Sequence, residues 1–263
     1  MLFTYFGTIC FGRRPASNRL LLVTCLILIV AAFTACRGRG SKGTAPILLF
    51  NGTGISPNDV TAMETILDDN HLNYVTVNSS ELNGMSPSQL MKYQLLIVAG
   101  GNFIDMGKSL TKGTAANIRY AVQHGLNYLG ICAGGFLAGS SAYYNGFNLT
   151  SGVKFGFYSA EKQGVRKATV AITGSGAPTL DQYWEDGPQL SGWGAVVAKY
   201  PDHTPAVTEG KCGRGFVILA GIHAEAPADW RGGMIFNTPA SADNAYAAML
   251  IRAALKRVWL PHY

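Results

Sequence analysis

Short apolar segments recur along the chain after residue 45, and polar, helix-like stretches separate them. The apolar segments are four to six residues long, and several are followed by glycine. Continuous apolar runs of that length are typical of parallel strands that are buried on both faces. The predicted strands in this half of the chain are residues 46–51 (PILLFN), 74–77 (YVTV), 94–99 (QLLIVA) and 127–131 (NYLGI).

The stretches between these strands carry helix signals. A serine followed by proline supplies an N-cap and a first-turn residue with the backbone angle of a helix. Glycine just after a helical stretch ends it. Four helices are predicted. The first begins at Ser56-Pro57 and ends near Asn70, and the second begins at Ser86-Pro87. The third covers residues 114–124 ahead of Gly125, and the fourth covers residues 240–258.

The second half of the chain is richer in strand-like segments. Residues 168–173, 195–200, 206–208 and 215–220 are the predicted strands, and 211–215 (KCGRG) is a predicted hairpin turn. Alternation of strands and helices in the first half predicts an α/β fold. We expect a flavodoxin-like, doubly wound, mostly parallel sheet with helices on both faces, followed by a β-rich second half.

The N-terminal 36 residues are predicted to be a targeting segment. Residues 20–35 (LLLVTCLILIVAAFTA) are apolar and uncharged, and Arg13, Arg14 and Arg19 precede them. A positive region followed by a short apolar run is the pattern of a secretory signal, and this run is shorter than the roughly 20 residues of a usual membrane span.

The end of this segment, Phe33-Thr34-Ala35-Cys36, resembles a bacterial lipoprotein box with Phe33 in place of the usual leucine. Cys36 is therefore a candidate lipidation site. A plain signal peptide and an uncleaved signal anchor stay open as alternatives. In each case we expect an exported, membrane-attached protein on the periplasmic or cell-surface side, with residues 37–45 as a flexible tether and 46–263 as the domain.

The charge of the chain does not indicate a nucleic-acid partner. Its formal charge is +6, but six of the 21 basic residues and no acidic residue lie in residues 1–43. The remaining 15 basic residues are balanced by 15 acidic ones. A neutral domain lacks the basic surface that binds a phosphate backbone, so we expect no nucleic-acid interface.

The segment 130–135 (GICAGG) follows a predicted strand and has the shape of a nucleophile elbow with cysteine in place of serine. Small neighbours let the backbone turn sharply at Cys132, and the helix that follows lowers the thiol pKa and supplies amide hydrogens. A cysteine nucleophile needs a base. His223 follows another predicted strand, and Glu225 lies two positions further on, where it shares a face with His223 and can orient the imidazole.

These segments, in this order, resemble the class I glutamine amidotransferase superfamily. Residues 46–258 are most similar to its biotin-protein-ligase N-terminal (BPL_N) group. The stretches that carry the resemblance are 51–56 (NGTGIS), 98–101 (VAGG), 130–135, 183–188 (YWEDGP) and 221–225 (GIHAE). The resemblance implies Cys132 as nucleophile, His223 as base and Glu225 as its orienter, with the amides of Gly101 and Ala133 forming an oxyanion hole.

Four further residues are predicted substrate contacts. Gly52 and Gly100 follow predicted strands, and parallel strands place their carboxyl ends at one edge of the sheet. Trp184 and Glu185 lie in the stretch 183–188, where they are larger and more acidic than is usual in the group. No Cys/His spacing suggests zinc, and we expect neither a metal nor a cofactor.

The leading interpretation is an exported cysteine-dependent amidase or hydrolase that acts on an amide or ester of a small molecule or peptide. The alternative is a non-catalytic binding or scaffold lipoprotein with the same fold. Redox or glyoxalase-type chemistry is less favoured, because it calls for an acid at the end of an early strand and the first strand ends in Asn51-Gly52. Cys212 is expected to be a partly exposed thiol in a turn, with a disulfide to Cys132 as the alternative.

Overall fold

The first half of the domain contributes four parallel strands to one sheet. The computed structural model describes residues 45–152, 154–158 and 162–263. The strands are β1 (Ile47–Phe50), β2 (Tyr74–Val77), β3 (Leu95–Val98) and β4 (Asn127–Ile131). All residues of β1, β3 and β4 are buried. Since successive side chains point to opposite faces, both faces of this part of the sheet are covered.

Helices follow the strands as the capping signals predict. They are α1 (Pro57–Asp69), α2 (Ser79–Asn83), α3 (Pro87–Leu90), α4 (Phe103–Ser109), α5 (Lys112–Gln123), α6 (Ala133–Leu137) and α7 (Ala240–Lys256), with a 3-10 turn at Ala228–Arg231. Ser56 and Ser86 cap α1 and α3 through their side chains. Two helices were not predicted, α2 and α4. Each begins at an asparagine cap, Asn78 or Asn102, which the serine–proline criterion does not detect.

The second half of the chain extends the sheet with mostly antiparallel strands. These are β5 (Lys154–Phe157), β6 (Lys167–Gly174), β7 (Leu180–Glu185), β8 (Pro188–Ser191), β9 (Ala195–Lys199), β10 (Pro205–Cys212) and β11 (Gly215–Ala220). The nine-stranded sheet has the order β2-β1-β3-β4-β11-β10-β9-β6-β7, and β5 pairs with β8 separately. The α/β class and the β-rich second half are confirmed.

The strand β11 is central because it pairs in parallel with β4, although about 90 residues separate them along the chain. Its other neighbour, β10, is antiparallel and joins it through the predicted hairpin. Since β1, β3, β4 and β11 all run in the same direction, their carboxyl ends meet at one edge of the sheet. Cys132 and His223 both lie at that edge.

The domain from Thr44 to Tyr263 is one compact unit. The targeting segment, the tether up to residue 44 and the candidate lipidation site Cys36 lie outside the described residues. Within the described ranges, the helices are too short or too polar to traverse a bilayer.

Candidate active site

The nucleophile elbow forms at the junction of β4 and α6. Cys132 has φ 48° and ψ −105°, a left-handed conformation that costs energy for a residue with a side chain. Its amide donates to the Ala220 carbonyl of β11 at 2.8 Å, and its carbonyl accepts from the Gly135 amide at 2.9 Å. The strained turn is therefore held from both sides. It carries the thiol to the carboxyl edge of the sheet.

Two glycines of the elbow are required by close packing. A Cβ on Gly134 would lie 2.0 Å from the Val98 carbonyl oxygen of β3, and a Cβ on Gly130 would lie 2.5 Å from the Gly134 carbonyl oxygen. The Tyr128 hydroxyl donates to that same Gly134 carbonyl at 2.7 Å. Helix α6 thus lies directly against the sheet, which is the reason that small residues surround Cys132.

His223 lies in the turn after β11, where a backbone hydrogen bond fixes its position. Its amide donates to the Tyr183 carbonyl of β7 at 2.9 Å, and the ring is 4% exposed. The ring nitrogen Nδ1 lies 3.0 Å from Glu225 Oε1. Nε2 has no hydrogen-bond partner among the described residues. Because Nδ1 is engaged by a carboxylate, Nε2 is the nitrogen left for proton transfer.

A second carboxylate, which sequence reasoning missed, lies against the same imidazole. Asp59 Oδ1 is 3.0 Å from His223 Nδ1. Asp59 is in the first turn of α1, where its amide donates to the capping Ser56 hydroxyl at 3.3 Å. A signal for it existed, because Ser56-Pro57 starts a helix at the same sheet edge and Asp59 is the acid of its first turn.

The contact between Asp59 and His223 explains the glycine at position 100. A Cβ there would lie 2.1 Å from Asp59 Oδ1 and 2.6 Å from His223 Cε1. The Gly100 backbone also contributes to lowering the pKa of Asp59. Gly100 therefore makes room for the acid–imidazole contact and supports it.

The charges in the site shift one another's pKa values. Burial lowers the pKa of His223, but the negative charges of Cys132, Glu225 and Asp59 raise it well above its ordinary value. Burial also acts to raise the pKa of Asp59, yet the charge and hydrogen bond of His223 keep it below its ordinary value. For Glu225, the effect of burial is larger than the opposing effect of the charge and hydrogen bond of His223, so the pKa of Glu225 is raised. The imidazolium form of His223 is thus stabilised.

Asp59, His223 and Glu225 also have donor atoms within 4.8 Å of one another, close enough in geometry for a cation. Both Nδ1–carboxylate distances are 3.0 Å, the length of a charge-assisted N–H···O hydrogen bond or slightly more. The Glu225 contact is a hydrogen bond, and the Asp59 contact is an ion pair when His223 is protonated.

A cleft of about 410 Å³ opens above the thiol and the imidazole. Cys132, His223 and Asp59 line its floor. One wall is aromatic: Phe103 stacks on Phe136 with ring centroids 4.3 Å apart, and the Phe157 ring centroid is 5.3 Å from that of Phe136. This wall suits a flat or apolar portion of a ligand.

The polar part of the lining comes from the end of β7 and from Arg166, just before β6. Arg166 forms an ion pair with Asp186, which has a left-handed φ of 46°. Glu185 accepts from the Tyr183 hydroxyl through its side chain. Its backbone carbonyl accepts from Cys132 Sγ at 3.5 Å.

One family model matches the first part of the domain. Residues 45–166 match the family model described as biotin-protein ligase, N terminal (BPL_N). These residues are therefore similar to the BPL_N family. The BPL_N segment includes Cys132 and Asp59, whereas His223 and Glu225 lie beyond it. A search of curated proteins found none similar to the chain.

Solved structures share the fold of this chain at low sequence identity. The cytoplasmic protein STM3548 from Salmonella typhimurium has a TM-score of 0.52 and 10% identity, over 79% of this chain and 98% of its own. The exo-β-1,4-mannosidase Op5Man5 from Opitutaceae bacterium strain TAV5 has a TM-score of 0.52 and 14% identity, over 78% of this chain. This chain spans 36% of the mannosidase. Both likenesses concern the fold alone.

The structure brings most of the sequence-predicted site residues together. Gly101, Cys132, His223 and Glu185 line the cleft. Glu225 is 1% exposed and contacts His223 Nδ1.

Ala133, the other predicted oxyanion residue, is buried and begins α6 directly after the thiol. Its amide is one of the first-turn N–H groups that a helix leaves without an internal partner.

Three predicted substrate contacts are not at the cleft. Trp184 is fully buried, its Nε1 donates to the Gly187 carbonyl at 3.2 Å, and its ring packs on Tyr158. Gly52 is instead crowded by the Phe50 ring. Gly100 acts through Asp59 and His223, as described above. A position next to the end of a predicted strand therefore did not determine which residues line the cleft.

Cys212 lies at the end of β10 and is 9% exposed, so the expectation of a partly exposed thiol was wrong. It pairs across the hairpin with Gly215, and it and Cys132 are free cysteines. Burial raises the pKa of the Cys212 thiol, although Arg119 acts in the opposite direction. The disulfide alternative is not observed.

Proposed function

We propose that the domain is a glutamine-amidotransferase-like amidase or related hydrolase that uses Cys132 as a nucleophile on an amide or ester of a small molecule or peptide. One observation supports this most strongly: Cys132 occupies a strained elbow on the floor of the same cleft as a buried, carboxylate-bound His223. The strain, the cleft and the oriented imidazole are the elements of nucleophilic catalysis.

The chemistry follows from the positions of these groups. The Cys132 thiolate attacks the carbonyl carbon, and a C–S bond forms as the carbonyl π electrons move to oxygen. The Ala133 and Gly101 amides are proposed to stabilise that oxyanion. When the intermediate collapses, the C–N or C–O bond breaks and His223 Nε2 gives its proton to the leaving group.

Water completes the cycle. His223, now neutral, takes a proton from a water molecule that attacks the thioester carbon. The C–S bond breaks, a carboxylic acid leaves, and Cys132 returns as the thiolate beside an imidazolium. The aromatic wall of the cleft is proposed to hold the acyl portion of the substrate, because it is the apolar surface nearest to the thiol.

We further propose that this hydrolase is exported. The pattern of residues 1–36 supports a signal peptide with lipidation at Cys36, which would attach the domain to a membrane through residues 37–45. Metabolic labelling with a clickable palmitate analogue tests this. Label on the wild-type protein and none on Cys36→Ala is the expected result.

The catalytic proposal is tested with p-nitrophenyl acetate and γ-glutamyl-p-nitroanilide. Intact-protein mass spectrometry after rapid acid quench should show an acyl adduct that is absent in Cys132→Ala. Cys212→Ser is the matched control, since Cys212 is the other free cysteine of the described ranges and does not line the cleft. An adduct that survives Cys132→Ala, or no adduct and no product with either substrate, would contradict the proposal.

One observation favours the alternative of a non-catalytic binding lipoprotein. The Cys132 thiol donates to the Glu185 carbonyl, and His223 Nε2 has no hydrogen-bond partner among the described residues. A binding protein would have an ordinary thiol at position 132. Its reaction with iodoacetamide would then be negligible at pH 6 and would increase only near pH 8 to 9.

A further inference from the structure

A single imidazole nitrogen faces two carboxylates in this site. His223 Nδ1 is 3.0 Å from Glu225 Oε1 and 3.0 Å from Asp59 Oδ1. The two acids come from unrelated parts of the fold, the turn after β11 and the first turn of α1. The Glu225 contact is a hydrogen bond, whereas Asp59 Oδ1 lies at ion-pair distance and has no hydrogen-bond partner among the described residues. A cysteine–histidine pair oriented by Glu225 alone does not require the second acid.

The position of Asp59 is fixed by independent contacts. Ser56 caps the helix that carries it, and the Ser56 hydroxyl accepts from the Asp59 amide at 3.3 Å. Asp59 lies on the floor of the cleft, whereas Glu225 lies outside the cleft lining. A side chain at position 100 would collide with both Asp59 and His223. The backbone is thus shaped around this contact.

Other titratable groups that face His223 are Cys132 from the elbow, Tyr183 from β7 and Tyr200 from the end of β9. The Tyr183 hydroxyl donates to Glu185, and the Tyr200 hydroxyl donates to the Pro188 carbonyl at 2.8 Å. Burial raises the pKa of both tyrosines, so both stay neutral. The negative groups in direct contact with the imidazole are therefore the two carboxylates.

We propose that Asp59 is a second positioning residue, which together with Glu225 holds His223 as an imidazolium and thereby keeps Cys132 as a thiolate in the resting site. Nε2–H then points away from the acids and is ready to protonate a leaving group. The direction of the shifts in Asp59 and His223 agrees with this arrangement. The inference rests on the proposed nucleophile, but it concerns the state of the thiol and not the substrate.

Thiolate formation can be measured without a substrate. The rate at which iodoacetamide alkylates Cys132 is followed by mass spectrometry from pH 4.5 to 9.5, in a Cys212→Ser background and with EDTA present. The variants are Asp59→Asn, Glu225→Gln and both together. Asp69→Asn is the matched control, because Asp69 is an exposed acid at the other end of the same helix.

Asparagine keeps the size of Asp59 and removes only its charge. Loss of one neighbouring negative charge lowers the pKa of His223 by about one unit or more. Alkylation of Cys132 at pH 6 should therefore fall about tenfold in Asp59→Asn and about a hundredfold in the double variant. At pH 9.5, where the thiol is ionised in all of the proteins, the rates should agree within about twofold. Asp69→Asn should follow the parent at every pH.

Two results would overturn the inference: an Asp59→Asn profile that superimposes on the parent, or an equal loss of rate at all pH values, which would mean that Asp59 only supports packing. If Asp59→Asn does not fold, nitrogen NMR of the His223 ring in the parent protein decides the matter. Two protonated ring nitrogens at pH 6.5 are expected, and a neutral ring would refute the proposal. A shifted profile without turnover of any substrate would reject the hydrolase and leave this inference intact.

Discussion

Replacing Gly134 by alanine tests whether the elbow depends on close contact between α6 and the sheet. The new methyl group would lie 2.0 Å from the Val98 carbonyl oxygen, where ordinary contacts begin at 3.4 Å. Helix α6 must therefore retreat by about 1.4 Å, or the end of β3 must move by the same distance. Movement of α6 carries Cys132 away from its position, because the thiol residue is the N-cap of α6.

The cost can be estimated from the behaviour of crowded cores. Overpacking by one methyl group typically costs about 1–3 kcal/mol, and backbone on both sides of the contact places this case at the upper end. For a domain of this size we expect Tm to fall by about 6–12 °C. The alkylation rate of Cys132 at pH 6 should fall as well, since the elbow sets the distance between the thiol and His223.

Gly113→Ala is the matched control. Gly113 is exposed in the first turn of α5. A Cβ there would have the Thr111 hydroxyl oxygen, at 3.6 Å, as its nearest contact. Alanine in a helix is more favourable than glycine by about 0.5–1 kcal/mol, so this variant should gain stability. Differential scanning calorimetry measures both changes. A Gly134→Ala protein as stable and as reactive as Gly113→Ala would refute the packing argument.

Two further changes are expected to have specific effects. Gly100→Ala should reduce Cys132 alkylation at pH 6 at least as much as Asp59→Asn, because its Cβ displaces the acid from the imidazole, and an unchanged rate would contradict this. Burial raises the pKa of Glu209 to about 7, although the Leu260 amide lowers it. Between its unfolded value near 4.5 and 7 the folded protein binds more protons, so stability falls as pH rises through this window, by at most about 3 kcal/mol. Glu209→Gln keeps an acceptor for that amide and should raise Tm more at pH 8 than at pH 5; equal gains at both pH values would count against it.

Local signals predicted the framework of this domain well. The bounds of β2, β4 and β11 agree with the prediction to the residue, because each is a short hydrophobic run with clear boundaries. The elbow at Cys132 was predictable because its small neighbours are contiguous in sequence. The short helices α2 and α4 were not, since a single asparagine cap carries little information.

The rest of the site could not be read from the sequence because it depends on tertiary contacts. Asp59 is one acid among 15 acidic residues, and only the packing of α1 beside the turn after β11 selects it. Trp184 and Glu185 are neighbours on β7, so their side chains point to opposite faces. The structure places Trp184 in the core and Glu185 at the cleft, an outcome that composition did not distinguish.

The pairing of β11 with β4 has a consequence for how the protein becomes reactive. The Cys132 amide finds its acceptor, Ala220, only when β11 has docked beside β4, and the same strand delivers His223. Closing a loop of that length is slow compared with forming the local β–α units of the first half. In an unfinished chain Cys132 therefore lacks both its Ala220 contact and His223 beside it. The two residues come together in one late folding step.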